Sequence, residues 1–170
     1  GASQITGFRA PIYSLTQKTK WVYNILNEFG FKYSSSVLPA YNPLYGWPGF
    51  GQQTKEVLKG FYEIPITLSG LPIINIPFSG GVYFRILPFF IIKYLFNRAK
   101  LNSEYIAGYF HPHDIDTTEI KHPYKDIPNN IIYNFLLYYN RDKVLSRLHR
   151  LIKDFNIITY SSYINNLIKS

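Results

Sequence analysis

The sequence contains no cysteine and no methionine among its 170 residues. The absence of cysteine excludes disulfide bonds, thiolate metal sites and cysteine nucleophiles, but it is compatible with every cellular compartment. Because translation starts with methionine and this chain starts at Gly1, we expect it to be a processed product or an excised piece of a longer protein. The location, cytoplasm or cell envelope, stays open.

Long hydrophobic runs are missing as well. The most apolar window, residues 86–92, lies between Arg85 and Lys93 and is far shorter than the roughly 20 residues that cross a bilayer. No signal-peptide pattern opens the chain. The sequence therefore predicts no membrane span.

Charged residues are scarce, at 16%, whereas hydrophobic residues reach 46%, which excludes a disordered tail and suits one folded domain covering residues 1–170.

The net charge of +8 is compatible with nucleic acid, anionic membranes or acidic glycans. The densest basic run, between Arg141 and Lys153, alternates with apolar residues at helical spacing. We interpret it as the exposed face of an amphipathic helix and expect no nucleic-acid partner.

The order of the predicted elements indicates an α/β fold. Residues 5–10 and 33–38 have strand-like patterns, and between them Thr16 can cap a helix that stops at Gly30. This β-α-β order predicts parallel strands joined by a crossover helix. Segment 39–60, rich in proline, glycine and aromatic residues, indicates a functional loop or an insertion. The other predicted elements are strands at 62–68, 71–77, 104–110 and 157–160, a helix at 84–97 interrupted by Pro88, and a helix at 141–154.

Three polar groups follow predicted strands, where α/β folds place their sites. They are Arg9, the serines at 34–36, and the segment 111–116. Taken singly, each group is more typical of an ordinary surface residue or turn than of a functional site.

Two histidines in the last group offer a metal-binding alternative. His111 and His113 are two residues apart, so in a continuing strand they would share one face, with Asp114 or Asp116 nearby. Pro112 between them disfavours that strand geometry, and a histidine that simply caps a strand end is the simpler interpretation.

Taken together and in order, the motifs of this chain carry a specific likeness. They are GFRAP at 7–11, SLT at 14–16, GFKYSSS at 30–36, IPFSGGVYFRILP at 76–88 and YFHP at 109–112. This series resembles the second half of the polysaccharide deacetylase family, the metal-dependent carbohydrate esterases, in the branch that accompanies exopolysaccharide gene clusters.

The resemblance implies the C-terminal part of a distorted (β/α)7 deacetylase barrel, seen here as an incomplete parallel sheet with covering helices. Such a hydrolase removes N-acetyl groups from the amino sugars of a polysaccharide or oligosaccharide. A divalent metal, expected to be zinc in the full-length parent, polarises the acetamide and activates water, an aspartate takes the proton of that water, and a histidine protonates the leaving amine.

The motif match also implies roles for individual residues. Arg9 would orient the catalytic aspartate and His111 would be the general acid, and both would open on the same cleft. The expected substrate-binding residues are Pro11, Tyr13, Trp47, Tyr83 and Arg85.

The chain departs from the family pattern at three places. The paired acidic motif and the two-histidine metal motif of the family precede the arginine motif, so this chain is expected to hold no metal. Ser34 stands where the family usually has an aspartate, which removes a charge that would tune the imidazole. His113 and Asp114 replace the usual aromatic residue and glutamate after His-Pro.

These departures leave a second hypothesis open. The chain could be a catalytically inactive glycan-binding or structural module, whose loop at 41–50, rich in tyrosine and tryptophan, stacks on sugar rings. Because half a barrel exposes apolar surface, we also expect a homodimer that closes the incomplete barrel.

Overall fold

The structure, a computed structural model, describes residues 5–42, 45–71, 75–103, 105–118 and 130–169. The chain divides into two compact units, one formed by Gly1–Ile66 with Ile157–Ser170 and the other by Thr67–Asn156. That residues 1–170 act as one domain stays a prediction.

The first unit contains a small open sheet. Its order is β1-β2-β4-β3; β1, β2 and β4 are parallel, and β3 is antiparallel to β4. The strands are β1 Gly7–Phe8, β2 Tyr33–Ser34, β3 Lys55–Leu58 and β4 Phe61–Glu63. The mixed α/β class is confirmed, and the strands inside the predicted segments 5–10 and 33–38 are parallel neighbours as expected, while the barrel stays a prediction.

Helix α1, Val22–Glu28, connects β1 to β2 as the β-α-β pattern predicts. A 3-10 turn precedes it, and there the Thr16 backbone N–H donates to Thr19 Oγ1 at 2.9 Å. Gly30 ends the helix with a φ of 82°, which favours glycine. The helix buries Tyr23 and Leu26 in an apolar cluster that the sheet and its loops complete with Leu15, Val37, Phe50 and Phe61.

Two sequence predictions in this unit are wrong. Strand β3 lies inside the segment predicted as a functional loop or an insertion, because its four residues, two of them charged, gain strand structure from pairing with β4. The strand predicted at 157–160 is absent, and its last residue instead begins helix α7, Tyr160–Lys169, whose Ile164 is buried. A short apolar run does not distinguish a strand from the start of a helix.

The second unit is helical in the residues that the structure describes. Its helices are α2 Gly81–Ile86, α3 Phe89–Asn102, α4 Pro112–Ile115, α5 Asn130–Tyr138 and α6 Val144–Leu151. Pro88 separates α2 from α3, as the predicted interruption requires. Residues 105–110 form no strand but a single bridge from Tyr109 to Gly80, and residues 72–74 of another predicted strand lie outside the described ranges.

The core of this unit corrects the interpretation of the basic run. Helix α6 packs Val144 and Leu151 against Phe84 and Ile92. Arg147, on the same helix, is buried and donates to the carbonyl oxygens of Phe84 and Arg85. Arg141, the first arginine of the run, is also buried. The run is therefore only partly an exposed face, because two of its cations bind backbone carbonyls inside the unit.

None of the described helices is long and apolar enough to cross a membrane. This agrees with the expectation from the sequence.

The bridge between Gly80 and Tyr109 predicts a sharp difference between two alanine substitutions. A Cβ added to Gly80 would overlap the Tyr109 carbonyl group. A Cβ added to Gly70 would meet nothing within 4 Å, and its only cost would come from the left-handed backbone there, with a φ of +62°. We expect Gly70→Ala to lower the free energy of unfolding by about 1–2 kcal/mol. Gly80→Ala should cost at least about 3 kcal/mol. Urea unfolding measures both, and equal costs would contradict the close packing at Gly80.

Candidate functional site

The first group of candidate residues lies where the parallel strands end. Arg9 follows β1, Ser35 follows β2, and Glu63 is the last residue of β4. Because carboxyl ends of parallel strands meet at one edge of a sheet, these side chains gather there.

Arg9 is held by a serine and two aromatic rings. Its Nε donates to the Ser35 carbonyl at 3.0 Å, and its Nη2 donates to Ser35 Oγ at 3.1 Å. Its guanidinium carbon lies 5.2 Å from the ring centre of Tyr13 and 4.9 Å from that of Tyr160. Sequence reasoning missed Tyr160, because only the fold brings a residue 151 positions later in the chain to Arg9.

Tyr13 reaches this place through an unusual turn. Pro11–Tyr13 form a 3-10 turn in which Ile12 and Tyr13 have positive φ values of 51° and 56°. The turn brings the predicted residues Pro11 and Tyr13 next to Arg9.

Glu63 ties the exit of β2 to β4. Its side chain is fully buried, and its Oε1 accepts hydrogen bonds from the backbone N–H groups of Ser36, at 2.6 Å, and Val37, at 2.9 Å. Ser36 Oγ accepts two further bonds, from Ser34 Oγ and the Ala10 N–H, each at 2.8 Å. The predicted serine cluster is thus an internal hydrogen-bond network, and Glu63 was missed although it is an acidic residue within an apolar run.

Burial raises the pKa of Glu63 above its ordinary value, against the opposing effect of its hydrogen bonds from Ser34 and the Ser36 and Val37 backbones. Burial, followed by the nearby Glu63, also raises the pKa of Tyr23.

The second group centres on Asp114, which is 1% exposed on α4. Its Oδ1 accepts from Arg85 Nε at 3.0 Å. Its Oδ2 accepts from the His111 backbone N–H at 3.0 Å and lies 3.3 Å from His111 Nδ1. Pro112 begins the helix, where it displaces no hydrogen bond, so His111 and Asp114 face each other across the first turn.

Arg85, which was predicted to bind substrate, is only 2% exposed. Its Nη1 donates to the carbonyls that close α5 and follow it: Leu136 at 2.7 Å, Leu137 at 3.0 Å and Tyr139 at 3.0 Å. Carbonyls at a helix end lack partners within the helix, so the guanidinium satisfies them. Burial lowers the pKa of Arg85, and the Asp114 carboxylate opposes that shift. Arg85 therefore anchors Asp114, and its role toward substrate stays a prediction.

His111 and His113 stack with ring centres 5.0 Å apart and planes 6° from parallel. Their side chains are 58% and 44% exposed. Burial lowers the pKa of His113, the charges of His111, Arg141 and Arg85 lower it further, and Asp114 opposes them. The pair therefore presents two imidazole rings to solvent above a buried carboxylate.

One ligand atom each from His111, His113 and Asp114 lies within 4.8 Å of the other two. That spacing would permit a divalent cation. However, Asp114 Oδ1 is bonded to the Arg85 guanidinium and Oδ2 to the His111 N–H, so the carboxylate is already neutralised. These residues form an ion-pair network, and the expectation that this chain holds no metal stays a prediction.

The other predicted residues lie apart from these networks. Trp47 packs in the first unit with its ring edge-on to Phe50, at 5.0 Å between centres. Tyr83 is half-buried on α2. That Arg9 and His111 share one cleft stays a prediction, since they belong to different units.

Comparison with known families finds a match over much of the chain. A sequence model described as a domain of unknown function, DUF3473, matches residues 35–165, well over half of the chain. The match includes Glu63, Arg85, His111 and Asp114, and it leaves Arg9 outside. No curated protein and no solved structure matches the chain.

The buried Glu63 predicts that stability falls as pH rises. Its raised pKa means that the unfolded chain loses this proton near pH 4.5 while the folded chain keeps it, so stabilisation present below that pH is lost above it, by up to about 1.4 kcal/mol per pH unit. Glu63→Gln cannot titrate and keeps an acceptor for the Ser36 and Val37 N–H groups, so its decline should be shallower.

Urea unfolding at pH 5, 6 and 7 measures this slope. Glu56→Gln is the matched control, because Glu56 is exposed on β3 and should leave the slope unchanged. A slope for Glu63→Gln equal to that of the unmodified chain would contradict the prediction.

Proposed function

This chain belongs to the DUF3473 domain family, and we propose that it supplies the general acid of a polysaccharide N-deacetylase. The proposed substrates are polysaccharides or oligosaccharides with N-acetylated sugars. The ordered motifs described above support this activity by resemblance.

The contact that carries the proposal joins His111 to Asp114. The carboxylate lies 3.3 Å from His111 Nδ1, while the His111 side chain is 58% exposed. With Nδ1–H held by Asp114, the remaining nitrogen, Nε2, is the one that can meet a substrate. A protonated imidazole in this position can donate its Nε2 proton to the leaving amine as the amide C–N bond breaks.

The family usually has an aspartate at the position of Ser34, and its charge would lie near the imidazole. In this proposal Asp114 supplies that charge instead. A carboxylate beside an imidazole selects the orientation of the ring by accepting from one of its nitrogens. Arg85 prevents Asp114 from turning away, because the carboxylate is held through Oδ1 while Oδ2 faces His111. In this proposal Asp114 is a positioning residue and Arg85 supports it.

In such a deacetylase a divalent metal polarises the acetamide carbonyl and lowers the pKa of bound water. Its ligands would be residues other than His111, His113 and Asp114, whose carboxylate is committed to Arg85. Arg9 is proposed to orient an acidic residue, as the motif resemblance implies.

Acetate release from N-acetylated chito-oligosaccharides tests the activity. In the complete protein that contains this chain, His111→Ala should lower kcat roughly 10²- to 10⁴-fold, the range for loss of a general acid. His149→Ala is the control, since this exposed histidine on α6 should leave kcat unchanged. Unchanged turnover in His111→Ala would overturn the assignment. The 170-residue chain alone, with zinc added, should release no acetate.

The role of Asp114 has its own spectroscopic test. In ¹⁵N spectra of neutral His111, Asp114→Asn should reduce the fraction of the Nδ1–H tautomer, because an uncharged amide holds that proton less strongly. Asp116→Asn, an exposed change two residues away, should leave the tautomer ratio unchanged. If Asp114→Asn folds and leaves the ratio unchanged, Asp114 does not position His111.

A further inference from the structure

The first unit contains a cavity of about 620 Å³ that the proposed chemistry does not use. Its volume is within the range of pockets that hold small ligands. Aromatic, apolar and basic residues from the start of α1, the loop before β3, and β3 itself line it. Those that the argument uses are Lys18, Lys20, Trp21, Trp47, Phe50 and Lys55.

Two indole rings form part of the wall. Trp21 is 57% exposed, so its ring is accessible from solvent. Trp47 is half-buried and its ring contacts Phe50 edge-on, so its orientation is fixed by the apolar cluster. One aromatic surface is therefore rigid and the other is open to solvent.

The charge of the lining has one sign. Three lysines line the cavity and no acidic residue does. Lys55 Nζ donates to the Phe50 carbonyl and lies 4.7 Å from the centre of the Phe50 ring, which holds this cation at the cavity. Lys18 and Lys20 are exposed and have no ion pair among the described residues. Within the part of the chain that the structure describes, the cavity therefore presents positive charge with no carboxylate in its lining.

We propose that this cavity binds an acidic sugar residue of a glycan, with its ring packed on the indole rings and its carboxylate bound by the lysines. Aromatic rings bind the apolar face of a pyranose, and ammonium groups bind its carboxylate. The choice of a sugar over another flat anion rests on the proposed function. A groove for single-stranded nucleic acid would instead follow several nucleotides along the surface.

This site would add a specificity that the general acid does not provide. An acidic unit held here would select glycans that carry both uronic acids and N-acetylated sugars. It uses side chains entirely different from those around His111, so each can be tested without the other.

Tryptophan fluorescence measures binding directly, because the only two tryptophans of the sequence both line this cavity. We expect trigalacturonate to change the emission, with affinity at least about tenfold above that for neutral chitotriose. Raising the salt concentration from 20 to 300 mM should weaken the binding of trigalacturonate. Equal affinity for the two sugars, no response to either, or tighter binding of an oligodeoxythymidylate would overturn the proposal.

Variants locate the binding. Lys18→Gln with Lys20→Gln should remove the preference for the acidic sugar, and Trp21→Ala should weaken binding at least about tenfold. Lys59→Gln is the control, since Lys59 is exposed outside the lining and should leave affinity unchanged. Unchanged binding in the double lysine variant would place the sugar elsewhere.

The two proposals fail separately. Loss of acetate release without loss of fluorescence response would reject only the deacetylase. Intact acetate release without any response to trigalacturonate would reject only the acidic-sugar site.

Discussion

The buried ion pair between Arg85 and Asp114 organises the second unit. Its two side chains are 2% and 1% exposed, so neither charge is hydrated, and each depends on the other. Removing one partner of such a pair typically costs about 3–5 kcal/mol, because a charge is left buried without compensation. The same pair fixes the end of α5 through Arg85 and the start of α4 through Asp114. The place of His111 therefore depends on a contact that His111 does not make.

The first unit also contains a buried carboxyl group, that of Glu63, which is held by hydrogen bonds rather than by a cation. Glu63 accepts hydrogen bonds from two backbone N–H groups at the exit of β2. In the same way, Asp114 accepts a hydrogen bond from one backbone N–H group at the start of α4. Asp114 is paired with the Arg85 guanidinium, whereas burial raises the pKa of Glu63. Asp114 therefore fixes its surroundings through an ion pair, and Glu63 does so through hydrogen bonds to the backbone.

Local sequence signals predicted the elements that local chemistry determines. The β-α-β order, the stop at Gly30 and the break at Pro88 need only short-range patterns, and the structure has all three. Strand β3, by contrast, exists through pairing with β4, and a four-residue segment with two charged side chains carries no signal of that pairing.

The candidate site shows the same difference between local sequence signals and contacts that only the fold creates. Motif resemblance predicted roles for His111 and Arg85, but only the fold shows that Asp114 joins them. Tyr160 is the last residue of a segment predicted as a strand, and it instead begins helix α7, where its ring packs against Arg9. Contacts between residues distant in the chain were beyond what one sequence could indicate.

The turn at Pro11–Tyr13 has a consequence for how these residues were selected. Left-handed backbone costs about 1–2 kcal/mol at each non-glycine residue, and Ile12 and Tyr13 both adopt it. Ile12 is 64% exposed, so the burial of its side chain offsets little of this conformational cost. A chain optimised for stability alone would carry glycine or asparagine at both positions, and the tyrosine ring beside Arg9 would be lost.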